Sequence, residues 1–168
     1  MNHTVKLRAM EPEDLDLLYT IENDRQLWDV GTTNVPYSRY VLHDYIAHSS
    51  GDIYTDREVR LIIENEKGET VGIVDVTRFD AKNQRAEVGI VIVSTCRRQG
   101  YAYQALLEVM HYAHHILHLH QLYAVISCHN QPSIALFQKA GYSATATLHD
   151  WLYNGEMYHS AQLMQIFF

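Results

Sequence analysis

This chain of 168 residues is short of several things, and each shortage excludes something. It has only two cysteines, Cys96 and Cys128, too few for a disulfide framework. No apolar run approaches the roughly 20 residues needed to span a bilayer. Residues Met1 to Arg8 lack the apolar stretch of a signal peptide. The expected compartment is the cytoplasm, with no membrane partner. Basic residues are scarce too: 13 Lys and Arg stand against 20 Asp and Glu, for a formal net charge of −7. A nucleic-acid coat would want a basic face, so no nucleic-acid partner is expected. An acidic field does concentrate cations, although many soluble enzymes are acidic without using it so. Internal repeats, low-complexity tracts and linkers are also missing. A single domain over residues 1–168 with one real core is the expectation.

What is present is patterned. Val5 to Met10 reads as a strand. Glu11-Pro12-Glu13-Asp14 then opens a helix, with Pro in its first turn, acids at the positive end of the dipole, and Leu15, Leu18 and Ile21 as its apolar stripe. Asn34-Val35-Pro36 breaks the chain before a second helix, in which Tyr37, Val41, Tyr45 and Ile46 recur at helical spacing. Val59 to Glu64 and Thr70 to Arg78 form a hairpin about Asn65 to Gly68. Arg85 to Val93 is the next strand, and its end, Ile90-Val91-Ile92-Val93, does not alternate, as in a strand buried on both faces. A helix over Gly100 to His118, a strand over Leu122 to Ser127 and a helix over Pro132 to Ala140 stopped by Gly141 follow. Ser143 to His149 and Met157 to Phe167 close the chain as a hairpin about Asn154-Gly155. A strand meander followed by βαβ crossovers predicts an α/β fold with a mixed sheet, about seven strands and four flanking helices.

Chemistry concentrates at Arg97-Arg98-Gln99-Gly100-Tyr101-Ala102-Tyr103, between the apolar strand and the long helix. The first N–H groups of a helix lack intrahelical partners and sit at the positive end of its dipole. Gly100 lets backbone approach a bulky anion, and Arg97 and Arg98 can add charge-assisted bonds. Together these describe a pyrophosphate cradle. One βαβ unit later, Asn130 is placed to cap a helix containing Ser133, Ile134, Leu136, Phe137 and Lys139.

In combination the two segments resemble the GNAT superfamily of acyl-CoA-dependent N-acyltransferases. Its loop pattern Arg/Gln-x-x-Gly-x-Gly/Ala is met by Arg97, Gly100 and Ala102. Its downstream pattern is met by Asn130, Ser133, Phe137, Lys139, Gly141 and Tyr142. Lys6-Leu7-Arg8 with Glu13-Asp14-Leu15, Arg85-Ala86-Glu87 and the Asn154-Gly155 hairpin also look like this family. Within it the chain is most similar to bacterial spermidine/spermine N-acetyltransferases and the neighbouring ribosomal-protein N-terminal acetyltransferases. The resemblance implies acetyl-CoA as co-substrate, its pyrophosphate on the backbone of Arg98 to Tyr103. It places the pantetheine arm along Ile90, Val91 and Ile92 like an added strand, and Asn130 with its helix on the cofactor's other side. It implies an amine acceptor, here a polyamine such as spermidine or spermine, with a protein N-terminus, an amino sugar or a non-catalytic acyl-CoA-binding module as alternatives.

Acetylation needs a neutral amine. A primary alkylamine has a pKa of about 10.4, so about one molecule in a thousand is neutral at pH 7. Glu87 is the candidate base, and pairing with Arg85 or Arg78 on a sheet face is its competing role. In the family a backbone N–H on the central strand supports the carbonyl oxygen as it gains charge, here near Ile92. Many relatives protonate the leaving thiolate from a tyrosine where this chain has Phe137. Tyr142, Cys128, His129 and Tyr158 are the nearby alternatives, and a thiolate with a pKa of about 8.5 can also leave unassisted. Acidic residues Glu22, Asp24, Asp29 and Asp44 are candidates to line a cationic acceptor cleft. No metal is expected: His114 and His118 stand one helical turn apart without a third ligand. Adjacent Cys128 and His129 would point to opposite faces of a strand. An exposed aromatic hairpin near Trp151 and Tyr153 is a candidate for self-association.

Overall fold

The computed structural model describes residues 4–28 and 34–168. Seven strands form one sheet: β1 (Val5–Ala9), β2 (Val59–Asn65), β3 (Thr70–Asp80), β4 (Arg85–Ile92), β5 (Gln121–Ser127), β6 (Ser143–Tyr153) and β7 (Tyr158–Phe167). Their order is β1-β2-β3-β4-β5-β7-β6. Every pairing is antiparallel except β4 with β5. The helices are α1 (Leu15–Glu22), α2 (Arg25–Trp28), α3 (Arg39–His48), α4 (Ile53–Asp56), α5 (Tyr101–His115) and α6 (Gln131–Lys139). The sequence predicts four of these six. The additional α2 and α4 are single turns of four residues, too short for a 3.6-residue periodicity to register.

Period-two alternation sorts the strands onto two cores. Ile62 and Ile73 join Leu18, Ile21 and Leu42 beneath α1 and α3, while Ile63, Val74 and Val76 join Leu106, Val109 and Leu122 beneath α5. Each aliphatic side chain so buried contributes about 1.5–3 kcal/mol. The second helix turns its stripe differently from the expected one. Ser38 caps it by accepting the Val41 N–H, so Tyr37 lies before the helix, Val41 faces out and Leu42 is the buried residue.

Two backbone features shape the middle of the sheet. A Cβ built on Gly72 would lie 2.2 Å from the Val91 carbonyl oxygen, so only glycine lets β3 and β4 close at that point. On its other side β4 meets β5 in only three register pairs, Arg85 with Gln121, Ala86 with Leu122 and Glu87 with Tyr123. From Val88 and Ala124 onward the two strands diverge. β5 stays paired with β7 along its whole length, so the sheet opens as a wedge between β4 and β5.

Candidate active site

The wedge exposes one edge of β4 to a possible ligand strand. Val93 N–H donates to Val71 O across β3. By the two-residue alternation of an antiparallel ladder, the N–H groups of Val91 and Gly89 also face β3, while those of Val88, Ile90 and Ile92 face the wedge. An extended amide-bearing ligand can pair there as an added strand, and the Ile92 N–H is placed to support a carbonyl oxygen. The apolar run is only part-buried for the same reason: Ile90 and Ile92 pack toward one core, Val91 and Val93 toward the other, and the strand edge itself is open.

At the end of β4 the chain passes through a short turn, Ser94–Cys96, into the predicted cradle. The N-cap of α5 is Gly100 (φ 89°), and Arg98 is also left-handed (φ 62°). No side chain caps this helix, and the first intrahelical bond runs from Gln104 N–H to Gly100 O (3.2 Å). The N–H groups of Ala102 and Tyr103 therefore have no intrahelical acceptor. A Cβ at Gly100 meets no described atom within 4 Å, so the approach is clear. Arg97 does something the sequence does not reveal: its Nε donates to Ile92 O (3.0 Å), locking the loop to the end of β4. Gln99 Nε2 donates to Thr95 O (3.1 Å) and braces the same turn. Tyr101 is buried in the core, so only its backbone can serve a ligand. Lys139 Nζ sits 4.5 Å over the Tyr103 ring, which brings α6 and a positive charge to the start of α5. The donor set fits a diphosphate followed by an amide-bearing arm.

Across the wedge, Asn130 Oδ1 accepts the Ser133 N–H (3.3 Å), capping α6 as predicted. Asn130, Ser133 and Phe137 line a cleft of about 290 Å³ together with β4, the diverging end of β5, and Ile21, Leu27 and Trp28 from α1 and α2. Trp28 Nε1 donates to Glu22 O (3.1 Å), which fixes that cover. Gly89 lies on the floor, where a Cβ would meet no described atom within 4 Å.

Charge in this cleft is concentrated on one face of the sheet. Its lining holds three carboxylates, Glu22, Asp75 and Glu87, and one guanidinium, Arg60, a formal charge of −2. Arg60 is the hub: Nε and Nη2 donate to Asp75 (2.7 and 2.9 Å) and Nη1 to Glu22 (2.6 Å). Burial works to strip its proton, but the hydrogen bonds and charges of Asp75 and Glu22 outweigh this and hold it protonated. Glu87 pairs with the exposed Arg78 (3.0 Å). Burial nevertheless raises the Glu87 carboxyl above its ordinary value, the Arg78 charge opposing this only in part. A carboxyl tuned upward in a cleft suits a proton acceptor at neutral pH.

The cleft gathers Glu87, Ile90, Val91, Asn130, Ser133 and Phe137; the Arg97 to Tyr103 loop joins the end of β4 through the Arg97–Ile92 bond and meets Lys139 at Tyr103, and neither the loop nor Lys139 lines the cleft. Of the predicted acceptor acids the structure brings only Glu22 to the cleft, and there it is neutralised by Arg60. Asp24 accepts the Gln26 N–H (3.0 Å) at the start of α2, and Asp44 pairs with His48 (3.1 Å) on the exposed face of α3. Neither lines the cleft. Asp29 lies outside the described residues. Asp75, Arg60 and Gly89 are the residues that sequence reasoning missed. One signal was available: Arg60 and Asp75 face each other across the β2–β3 hairpin, a charged pair interrupting two apolar strands.

Other expectations change. The helix carrying the histidines ends at His115, and Leu119 N–H closes back on Ala113 O (2.9 Å). His118 is left-handed (φ 54°), so it is not one helical turn beyond His114. Among the described residues no three His, Cys, Asp or Glu side chains converge as metal ligands. A larger groove of about 690 Å³ runs along β1 and includes none of the predicted catalytic or cofactor residues.

Residues 4–143 match the acetyltransferase (GNAT) domain model. Spermidine N(1)-acetyltransferase of Escherichia coli K12 is 32% identical over 168 residues, covering 98% of this chain and 87% of that protein. The Vibrio cholerae enzyme of the same name is 22% identical over 166 residues, covering 99% and 94%. A crystal structure of Vibrio cholerae spermidine N-acetyltransferase with CoA and spermine superposes with a TM-score of 0.90 at 21% identity, covering 98% of this chain and 95% of that one. A dodecameric form of that enzyme gives 0.82 at 23% identity, covering 98% and 94%.

Proposed function

Since this chain belongs to the GNAT acetyltransferase family and is an N-acetyltransferase that uses acetyl-CoA, we propose that its acceptor is a polyamine of the spermidine class. The observation that carries this reading is the cleft beneath α1 and α2, whose lining holds three carboxylates against one guanidinium beside the open wedge. A polyamine carries three or four positive charges, and a chain at −7 attracts it over a range set by screening. The net acid of this cleft draws in the distant ammonium groups, with Asp75 offering the lone pairs that Arg60 leaves free and the Trp28 ring a cation–π surface. The reacting amine then lies over Gly89, close to Glu87.

Acetyl-CoA supplies an activated acetyl group, and the chain's own residues orient it and move the protons. The first turn of α5 holds the diphosphate, and the wedge-facing groups of Ile90 and Ile92 hold the arm in register. A wedge-facing N–H beside Gly89 stabilises the acetyl oxygen as it gains charge, because Ile92, about 10 Å farther along the strand, lies against the diphosphate loop instead. Glu87 takes the proton that the ammonium must lose, a step of about 4–5 kcal/mol at pH 7 for an amine of pKa about 10.4.

Initial-rate measurements with spermidine, spermine, a peptide with a free N-terminus and an amino sugar, each at low and high salt, test the reading. Polyamines are expected to show the highest kcat/KM, with a KM that rises steeply with salt. Peptide turnover far above polyamine turnover, or a flat salt response, rejects the polyamine assignment and leaves the acetyl-CoA site standing.

A further inference from the structure

We propose that Arg78 is a positioning residue for acetyl transfer, holding the Glu87 carboxylate at the solvent rim of the cleft, where the proton taken from each acceptor passes to water. The proposal rests on Glu87 as the base. The guanidinium Nε lies 3.0 Å from Glu87 Oε2, and the Arg78 side chain is 72% exposed against 22% for Glu87, so the pair spans from cleft to solvent.

Strand geometry alone would not put Arg78 there. Val74 and Val76 of β3 face the core under α5, while Asp75 and Thr77 face the cleft. Strict alternation would send the next residue, Arg78, into that core and turn Phe79 to the cleft. The opposite is found. Thr77 pairs with Glu87 and Asp80 with Arg85, three steps along β3 against two along β4, so β3 carries one inserted residue. Arg78 takes a left-handed backbone (φ 50°), and Phe79 occupies the core position. Phe79 meets Tyr54 edge to face (5.1 Å between centroids), and its N–H donates to Arg57 O (3.0 Å), which pins the bulge. The insertion thus releases a cation to the side of the sheet that carries Glu87. Bulges beside active sites re-aim side chains in this way.

The other groups around Glu87 are engaged elsewhere or uncharged. Tyr123 stands beside it on β5 in direct register. Burial, reinforced by the Glu87 charge, holds the Tyr123 phenol above its ordinary value, so it is neutral at physiological pH. Arg85, two residues back on β4, pairs with Asp80 (3.4 Å). Arg60 is committed to Asp75 and Glu22, and Arg25 of α2 lies over the Trp28 ring. Among the described residues Arg78 is the only cation ion-paired with Glu87, and it counters the burial that favours the protonated carboxyl.

Proton balance gives this pairing its purpose. The acceptor enters as an ammonium and leaves as an amide, so its nitrogen loses two protons. The nitrogen bonds to the acetyl carbon as the carbon–sulfur bond breaks. One proton ends on the sulfur, giving the CoA thiol, and the other on Glu87. Glu87 must release it to water before the next acceptor arrives. A guanidinium on the solvent side favours the carboxylate and so favours that release.

The test compares Arg78→Gln and Arg78→Lys with the parent. The pH dependence of kcat/KM is measured with one polyamine, whose own ionisation is common to all three proteins. Arg78→Gln is expected to move the acid limb to higher pH. On that limb kcat/KM should lie about two- to fivefold below the parent, the range an exposed ion pair supports, and on the plateau the two should meet. Arg78→Lys restores the charge and should bring the limb back toward the parent. Melting temperature and KM for acetyl-CoA are expected to stay unchanged. The carbon-13 carboxyl resonance of Glu87, assigned by its loss in Glu87→Gln, gives a readout independent of turnover, and its midpoint should rise in Arg78→Gln. An equal loss of kcat/KM at every pH, a Lys variant that behaves as the Gln variant, or a carboxyl midpoint unchanged in Arg78→Gln would overturn the proposal alone. A midpoint that moves while the kinetic limb stays would remove Glu87 as the base, and the proposal with it.

Discussion

Phe137 and Tyr142 meet edge to face, with 4.9 Å between ring centroids and 75° between ring planes. Gly141 (φ 99°) ends α6 between them, and Tyr142 N–H returns to Phe137 O (3.0 Å). Both rings are buried, and the Tyr142 hydroxyl has no hydrogen-bond partner among the described residues. The ring that lines the cleft thus has no hydroxyl, and the ring behind it has one that is unpaired. Burial pushes the Tyr142 phenol well above its ordinary value, so it keeps its proton at physiological pH. An unsatisfied buried hydroxyl costs about 1–3 kcal/mol. Tyr142→Phe is expected to stabilise the protein by about 1 kcal/mol, a melting-temperature rise of roughly 2–4 °C. A lower melting temperature in scanning calorimetry would mean that the hydroxyl is hydrogen-bonded in solution.

Phe137 lines the cleft, so Phe137→Tyr places a donor in the proposed path of the leaving sulfur. If the parent lacks an acid there, kcat is expected to rise or hold, at little cost in stability. A thiolate is a good enough leaving group to depart unassisted, so a large gain is not required. A tenfold fall in kcat, about 1.4 kcal/mol of barrier, would count against a missing acid and point to crowding of the thioester.

Glu87→Gln removes the proposed base. A positioned base contributes typically 10²–10⁴-fold, so kcat/KM is expected to fall by about that much. In the parent, kcat/KM should rise with pH through the raised Glu87 value and then plateau. The stability effect has the opposite sign. The folded carboxyl has a higher pKa than the unfolded one, so the folded state holds more protons between the two values. Stability is full below the unfolded pKa and declines as pH rises through the folded one. Gln does not titrate, so the variant should lose this decline. Melting curves from acid to neutral pH check it, and identical pH dependence in both proteins would remove Glu87 from the account.

Gly100 tests the cradle. Gly100→Glu puts a bulky anion at the start of α5 and is expected to abolish acetyl-CoA binding by calorimetry. Its left-handed backbone (φ 89°) would also strain any side chain. Gly100→Asn is the control for strain, because asparagine tolerates that conformation. It should fold and bind acetyl-CoA more weakly than the parent. Unchanged affinity in folded Gly100→Glu would displace the site.

Gly72→Ala tests the closure of β3 on β4. The added Cβ would be forced against the Val91 carbonyl, which is backbone and cannot swing aside. A loss near the upper end of the usual overpacking cost of about 1–3 kcal/mol is expected, read as a melting-temperature drop of roughly 6–12 °C. Surviving protein should show raised KM for acetyl-CoA, because Val91 neighbours the wedge edge. A variant as stable as the parent would show that the two strands do not close as described.

The sequence by itself determined everything that depends on neighbours along the chain. The strands follow from alternation, or in β4 from an unbroken apolar run, between turn residues. The cradle follows from a glycine at a strand-to-helix junction, and the α6 cap from Asn130 with Ser133 three residues on. These are local interactions, so their signal is written in spacing. What only the tertiary structure decided depends on residues far apart in sequence. The acidic cleft was sought on the early helices because acids cluster there, yet Asp24 and Asp44 spend their charge on their own helix ends. Its floor comes from Asp75 and Glu87, which the register of β3 on β4 sets on one face, and Arg60 takes Glu22 out of play from 38 residues away. The wedge between β4 and β5 is likewise invisible in either strand. It exists because β5 follows β7 rather than β4 beyond three register pairs, a choice among partners that no single strand encodes.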